Sequence, residues 1–330
     1  MEYKRLGRTG LKVSRLCLGT MTFGNQCDEN LSHAVLDYAL DSGISFIDTA
    51  DIYPANGKPD LVGETENIIG RWIQPKRENV VLATKFWAPT GENPWQGGSS
   101  RRNIIDSVEE SLRRLQTDYI DLYQVHFPDY ETPMEETLSA LDDLVRQGKI
   151  LYAGCSNYPA WLLALTLGKS ENASTIRFDT VQPRYNLLFR QPERDLFKLC
   201  EFAEIGVIPY NPLAGGFLTG KHKREAPEEG SRFTLEGGQG ERYLERYWSE
   251  QKHDVVDALK PLAKEAGITL AHLAVGWVLA NPVITSPIIG ATKPSQLEDA
   301  INAVNHPLED DLVEIINDLT LEFRRGDESR

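Results

Sequence analysis

Eight short runs rich in valine, isoleucine, leucine and phenylalanine punctuate this chain, and each is followed by a longer segment with helical spacing. The runs are Arg15–Leu18, Ser45–Ile47, Val80–Ala83, Tyr119–Gln124, Ile150–Ala153, Thr180–Gln182, Val207–Pro209 and Pro287–Ile289. A parallel sheet requires this alternation, because parallel neighbours are joined only by a long connection that packs back on the sheet. Eight such units in 330 residues leave no length for a second domain, and no linker rich in Pro, Gly and Ser divides the chain. The expected class is α/β, a single (β/α)8 TIM barrel over residues 1–330.

The segment after the third run shows why the intervening pieces read as helices. Ile104, Ile105, Val108, Leu112 and Leu115 share one face, while Glu109–Arg113 and Glu110–Arg114 are expected to pair on the other. Thr132-Pro133-Met134-Glu135 offers a hydroxyl N-cap, a proline at N1 and a carboxylate at N3, so a helix should run from there to about Arg146 and stop at Gly148. Leu270–Ala280 is apolar on most sides and should be wedged between neighbours. Tyr3–Leu6 and Leu11–Val13 flank Gly7 and Gly10, a hairpin placed to cap the barrel floor. The tract Ala214–Gln251, with Gly230, Gly237, Gly238 and Gly240 among many charges, is expected to be either a mobile loop over the catalytic face or a tolerated surface insertion.

Composition narrows the partners. Hydrophobic residues at 41% suffice for a large core, and 35 basic against 49 acidic side chains give a net charge of −14. That sign repels phosphate backbones and anionic lipid, so neither nucleic acid nor a membrane is expected as a partner. Cys17, Cys27, Cys155 and Cys200 form no C-x-x-C pair and no metal-ligand spacing, which suits a reducing cytosol and predicts no metal site. The opening MEYKRLGRTG lacks an apolar leader core, so a cytoplasmic protein is expected and Asn172-Ala173-Ser174 reads as a chance sequon.

A barrel of this kind builds its site from the carboxyl ends of its strands and the loops that follow. Those positions hold Asp48 and Tyr53 after the second run, Lys85 after the third, His126 after the fourth, Ser156 and Asn157 after the fifth, Gln182 ending the sixth and Tyr210 after the seventh. Singly each has a bland reading: a structural ion pair, a satisfied histidine, a loop aromatic, a helix cap. Polar groups from separate strands meeting on one face favour chemistry.

In this order the residues Asp48-Thr49-Ala50-Asp51-Ile52-Tyr53, Ala83-Thr84-Lys85, Leu115 to His126 and Gly154-Cys155-Ser156-Asn157 resemble the aldo-keto reductase superfamily, and the resemblance covers nearly the whole chain. The longer Tyr53–Gly63 loop and the aspartate after His126-Phe127-Pro128 are most similar to the bacterial branch related to voltage-gated potassium-channel β subunits. The resemblance implies reduction of aldehydes or ketones, with Tyr53 as general acid. A phenol with an ordinary pKa near about 10 needs help as an acid. A nearby Lys85 ammonium, held charged by Asp48, should lower that pKa, while His126 orients the carbonyl.

No G-x-G-x-x-G follows any of the eight runs, so a Rossmann site is not expected and the barrel itself must bind the nicotinamide cofactor. The resemblance implies that Ser156, Asn157 and Gln182 hold the carboxamide, Tyr210 stacks on the ring, and Leu213 and Gly215 border the pyrophosphate. Gly215 to Lys221 spells G-x-x-x-x-G-K, but His222 stands where a magnesium-binding hydroxyl belongs. Gly290, Thr292, Lys293, Gln296 and Asp299 lie after the eighth run, where a helix N-terminus attracts phosphate. Thr292 and Lys293 gripping a 2′-phosphate would favour NADPH over NADH, although Ala300 replaces the family's frequent asparagine and Lys293 alone reads as a solvated lysine.

Phe23, Trp87, Phe127 and Phe189 are candidates to line an apolar cleft, or equally to pack under the loops. No basic cluster stands at the strand ends beyond Lys85 and Arg184, so the expected substrate is a small aldehyde or ketone without phosphate or two carboxylates. The alternative is a nicotinamide-binding regulatory subunit with little turnover.

Overall fold

The structure, a computed structural model, describes residues 1–54, 58–236 and 238–327. Gly237 of the long tract and residues 55–57 of the Tyr53–Gly63 loop lie outside them.

Strands β1 (Tyr3–Arg5) and β2 (Lys12–Ser14) pair antiparallel, with Tyr3 opposite Ser14. Eight parallel strands follow: β3 (Cys17–Gly19), β4 (Phe46–Asp48), β5 (Val81–Phe86), β6 (Ile120–Val125), β7 (Ile150–Ser156), β8 (Phe178–Gln182), β9 (Gly206–Val207) and β10 (Ile288–Gly290). Their spatial order is β10-β3-β4-β5-β6-β7-β8-β9. The two ends of this sheet meet, because Thr285 N donates to Val207 O at 2.8 Å and Ile288 N to Pro209 O at 2.8 Å. This is the expected (β/α)8 barrel.

The third and fifth strands are longer than their apolar runs indicate. Lys85 lies within β5 and Ser156 ends β7, so both sit on rigid sheet rather than on following loops. At β7 the register shifts between Ala153 and Gly154. A Cβ at Gly154 would lie 2.1 Å from Thr180 Oγ1, so β8 comes this close only because the residue is glycine.

Eleven helices occur among the described residues: α1 (Glu29–Asp41), α2 (Glu64–Ile73), α3 (Arg101–Leu115), α4 (Met134–Arg146), α5 (Ala160–Ala173), α6 (Leu196–Ala203), α7 (Gln239–Tyr247), α8 (Glu250–Glu265), α9 (Leu270–Ala280), α10 (Glu298–Asn305) and α11 (Asp310–Leu319). On α3 the expected apolar face is turned inward and the expected Glu110–Arg114 pair forms at 3.8 Å, but Glu109 and Arg113 find other partners. Arg113 meets Glu110 at 2.7 Å, Arg114 reaches buried Glu66 at 2.7 Å, and Glu109 pairs with Lys149. Helix α4 ends as expected, with Gly148 at φ 74° just beyond it. Its start does not follow expectation. Pro133 occupies the cap position, and the Thr132 hydroxyl instead donates to Asp129 Oδ2 at 2.8 Å, because Asp129 gathers the local donors Ser99 N, Glu131 N and Thr132 N. Helix α9 is buried along most of its length, as its all-round apolarity requires.

The tract Ala214–Gln251 is folded rather than an open loop or a loose insertion, which corrects both expectations. Phe217, Phe233, Tyr243 and Tyr247 are buried in the main core, with the Phe217 ring 5.9 Å from Phe233 and 5.7 Å from Trp248. The aromatic residues hidden among its charges supply the burial that a glycine-rich charged segment otherwise lacks.

Two apolar layers result. The larger fills the space between strands and helices. The smaller gathers Cys17, Phe46, Ala83, Leu122, Ile208 and Ile288 from the strands with Leu6 and Val13 from the hairpin. The hairpin tip docks beside the starts of β8 and β9, where a Cβ on Gly7, at φ 59°, would lie 2.7 Å from Gly206 N and 2.8 Å from Asp179 O. Leu6 therefore plugs the floor, and burying it contributes roughly 1.5–3 kcal/mol. With the floor closed, the opposite mouth is where polar side chains can converge.

Candidate active site

Asp48, Lys85, Gln124 and Gln182 project into the barrel from four different strands. Strand pairing sets Gly19 beside Asp48 and Lys85 beside Gln124, and the period of two turns these residues inward. Lys85 is fully buried, and its ammonium donates to Asp48 Oδ2 at 2.5 Å and to the Thr49 carbonyl at 2.7 Å. The other oxygen of Asp48 accepts from Gln182 Nε2 at 2.8 Å and from Gln124 Nε2 at 3.2 Å. Burial works against the ammonium, but Asp48 and the nearby Tyr53 outweigh it and raise the Lys85 pKa above its ordinary value. Lys85 is thus a permanent cation at neutral pH.

Tyr53 follows β4 and is fixed by its own backbone. Its carbonyl accepts from Gly63 N at 3.1 Å and Thr65 N at 3.3 Å, tying it to the start of α2. The Lys85 nitrogen lies 5.1 Å from the centre of the Tyr53 ring, and the His126 ring meets that ring edge-on at 5.9 Å. Burial raises the Tyr53 pKa, with Lys85 opposing it and Asp48 adding to it. The expected lowering by Lys85 is present as an influence but does not prevail, because the phenol is enclosed. Tyr53 therefore keeps its proton at neutral pH. Burial, then Lys85, drives the His126 pKa well below the usual imidazole range, so this ring is neutral, and its Nδ1 is buried without a hydrogen-bond partner.

A second chain of bonds leaves this centre. Asn157, held at φ 61°, donates to the His126 carbonyl and to Ser156 Oγ, both at 3.0 Å, and accepts from the Tyr210 hydroxyl at 2.8 Å. Ser156 Oγ donates to the Gln182 carbonyl at 2.8 Å. The side chains of Asn157, Ser156 and Tyr210 form one connected group at the mouth. Asn157 in the left-handed region is backbone strain concentrated at a site, which asparagine tolerates better than most residues.

The rim beyond β9 is built on a tight glycine turn. Gly215 and Gly216 adopt φ 70° and 98°, and a Cβ at Gly215 would strike Tyr243 at 2.5 Å. Leu213 precedes them, half-buried. Across the mouth, a Cβ on Gly290 would lie 2.8 Å from Arg232 Nη2, so that guanidinium rests over the end of β10. Arg232 also donates to the Tyr243 hydroxyl at 3.0 Å, which donates on to Asn211 Oδ1 at 3.2 Å. Beyond Gly290, Gln296 Oε1 accepts from Thr292 N at 2.7 Å and Thr292 Oγ1 at 3.2 Å, Lys293 is exposed, and Asp299 sits half-buried in the first turn of α10. A 3₁₀ turn, Pro294–Leu297, which includes Gln296, separates Thr292 and Lys293 from α10 itself.

Of the cleft candidates, Trp87 and Phe127 stand together at 5.3 Å, and Phe127 stacks on His126 at 5.1 Å. Trp87 sits at φ 125°, an unusual backbone state for a bulky residue. Phe23 is fully buried in the main core, and Phe189 lies beneath the Arg184 guanidinium at 3.5 Å.

Two groups of site residues escape sequence reasoning. Gln124 lies inside a run quoted for its resemblance, and strand parity with Lys85 was the signal that could have singled it out. Asn211 stands next to Tyr210 at a strand end and could have been found there, whereas Arg232 and Tyr243 carry no such signal, because only the folding of the long tract brings them over the mouth. Asp51 is a further surprise: it is buried, neither carboxylate oxygen has a partner, and burial followed by Glu66 holds its pKa far above the usual carboxylate range. Among the described residues no three His, Cys, Asp or Glu side chains gather as metal ligands.

A barrel mouth with a buried lysine–carboxylate pair, a protonated phenol and a neutral imidazole defines a class of barrel proteins equipped for acid–base work. Comparison with known proteins carries the assignment further. The model of the Aldo/keto reductase family matches residues 15–320, and the chain belongs to that family. It is 41% identical over 328 residues to "Uncharacterized oxidoreductase YrpG" of Bacillus subtilis (strain 168), covering 97% of this chain and 96% of that one. It is 37% identical to "Probable voltage-gated potassium channel subunit beta" of Arabidopsis thaliana over 92% of both chains. To "Protein tas" of Escherichia coli (strain K12) it is 35% identical, over 95% and 96% of the two chains. Its family and the oxidoreductase relative place it among oxidoreductases.

Proposed function

We propose that this protein is an NADPH-dependent reductase of aldehydes and ketones, with Tyr53 as general acid. The observation carrying the reading is the buried Lys85 ammonium, locked onto Asp48 and lying 5.1 Å from the ring of a tyrosine that keeps its proton. When bound, the nicotinamide cofactor supplies a hydride to the carbonyl carbon. Tyr53 gives its phenolic proton to the carbonyl oxygen, and Lys85 stabilises the phenolate left behind. Asp48, itself fixed by Gln124 and Gln182, keeps the ammonium charged and in place. His126, being neutral, has one ring N–H to donate to the same oxygen and cannot compete with Tyr53 as a stronger acid.

The chain's own residues suit the cofactor. Ser156, Asn157 and Gln182 present amide and hydroxyl groups for the carboxamide, and Tyr210 offers a ring face. The Gly215–Gly216 turn, Leu213 and Arg232 suit the pyrophosphate, because glycine permits close backbone approach and arginine pairs with phosphate. Thr292 and exposed Lys293 suit a 2′-phosphate, with Gln296 and Asp299 toward the adenosine end. Trp87 and Phe127 wall the substrate cleft, and Phe23 is a third, buried, candidate for it.

The test follows the reduced-nicotinamide absorbance with purified protein, NADPH or NADH, and a panel of aldehydes. Wild type is expected to turn over, and Tyr53→Phe to lose about 10²–10⁴-fold while still binding NADPH. Unchanged turnover in Tyr53→Phe overturns the acid assignment. The likeness to a channel β subunit supports a second reading, a cofactor-binding regulatory subunit, for which tight NADPH binding with negligible turnover on every aldehyde is the expected result.

A further inference from the structure

Arg184 follows β8 by two residues and is over nine-tenths buried, 8% exposed. Its guanidinium lies flat over Phe189, its Nη2 donates to the carboxylate of Asp327 near the end of the chain, and its Nη1 is buried with no hydrogen-bond partner. Two more cations converge there from the tract's far end. Arg184 pairs with Tyr210 in a parallel bridge, Arg246 adjoins Tyr247 at the end of α7, and the Lys252 ammonium lies 5.8 Å from the Tyr247 ring; the charges of Arg184 and Arg246 also oppose the burial that raises the pKa of Tyr210 and Tyr247. Among the described residues neither Arg246 nor Lys252 pairs with a carboxylate; Lys252 donates to the Arg246 carbonyl. In a chain of net charge −14, Arg184 and Lys252 about the one exposed carboxylate of Asp327, with Arg246 beside them, are a local reversal of sign. They border the catalytic mouth, since Tyr210 hydrogen-bonds Asn157, which in turn bonds the His126 carbonyl.

We propose that Arg184, Arg246 and Lys252 form a carboxylate subsite of the substrate cleft, that its occupant is the carboxylate of an aldehyde or ketone, and that Asp327 is the internal stand-in which the substrate displaces. Phe189 and Tyr247 give the subsite an aromatic floor suited to a planar carboxylate, and the free Nη1 provides the second donor of a bidentate contact. The linear sequence shows only Arg184 at a strand end; Arg246 and Lys252 arrive 62 and 68 residues later in the chain. The assignment of the occupant to a substrate rests on the reductase reading, whereas the anion site does not.

Two measurements separate them. Calorimetric titration of the full chain with benzoate is expected to show binding that Asp327→Asn tightens and Arg184→Gln weakens, each by about tenfold, as a charge-assisted contact predicts. Asp327 is 54% exposed on the tail, so its variant does not challenge the fold. With NADPH, the ratio of kcat/KM for 4-carboxybenzaldehyde to that for benzaldehyde is expected to rise about tenfold in Asp327→Asn and to fall about tenfold in Arg184→Gln. Benzoate binding that is absent, or indifferent to both variants, overturns the subsite and leaves a structural clasp only. Benzoate binding that responds while the ratio stays fixed overturns the substrate assignment. If benzoate responds but no aldehyde is reduced, the reductase reading fails and the anion site stands.

Discussion

At the scale of single residues, the site is an exercise in keeping charge where water cannot reach. Lys85 and Asp48 are both buried, and each would be costly alone. Lys85→Met is expected to leave Asp48 uncompensated, lowering unfolding stability by about 3–5 kcal/mol in urea titration and removing turnover by at least about a hundredfold. His126 bears on pH dependence. Its pKa lies well below the ordinary value, so the ring is already neutral as pH rises through the usual imidazole range. The pH profile of kcat/KM for reduction is therefore expected to show no inflection near about 6.5. An inflection there that disappears in His126→Gln would contradict the neutral assignment.

At the scale of elements, what matters is how closely segments approach. Helix α2 carries Tyr53's tether and crosses α3 at Gly70, where a Cβ would lie 2.1 Å from the Arg114 carbonyl and 2.9 Å from the Leu115 carbonyl carbon. Gly70→Ala must push the two helices apart and disturb the Arg114–Glu66 pair beside them. The expected cost is about 1–3 kcal/mol in thermal or urea unfolding. The Gly215–Gly216 turn is the counterpart on the opposite rim. With φ 70° and Tyr243 against it, Gly215→Ala is expected to weaken NADPH binding about tenfold by fluorescence titration, while Gly168→Ala, on α5 with open space around its Cβ and no left-handed φ, changes binding little.

At the scale of the whole molecule, the closed floor and the polar mouth divide the barrel between stability and chemistry. Asp179, low on β8 beside the docked hairpin, belongs to the first. Burial raises its pKa to about 6, with Arg177 and Arg8 opposing. The native state holds this proton more tightly than the unfolded chain, so its favourable contribution is present below about pH 4 and is lost as pH rises through 6. Asp179→Asn is thus expected to stabilise the protein by about 1–3 kcal/mol at pH 8, with the gain shrinking to nothing near pH 4. Urea titrations at the two pH values check it, and an equal effect at both would point to packing instead.

The sequence by itself determined the alternation of strand and helix, the hairpin at the floor and the four polar side chains at successive strand ends. These depend on local period and on residues close in the chain, so Asp48, Tyr53, Lys85 and His126 stand out by position, while the roles expected of them came from the family resemblance. Strand ends were less legible, because β5 and β7 run past their apolar stretches into the polar Lys85 and Ser156. What the tertiary structure alone decided is who meets whom across the mouth: Gln124 with Gln182 on Asp48, Arg232 over Gly290, Thr132 drawn from its cap to Asp129, and Arg184 with the tail's Asp327. Such contacts join segments up to 143 residues apart, and no periodicity records them. Closing the barrel brings those segments together, and removing water from the mouth makes their charges act on one another.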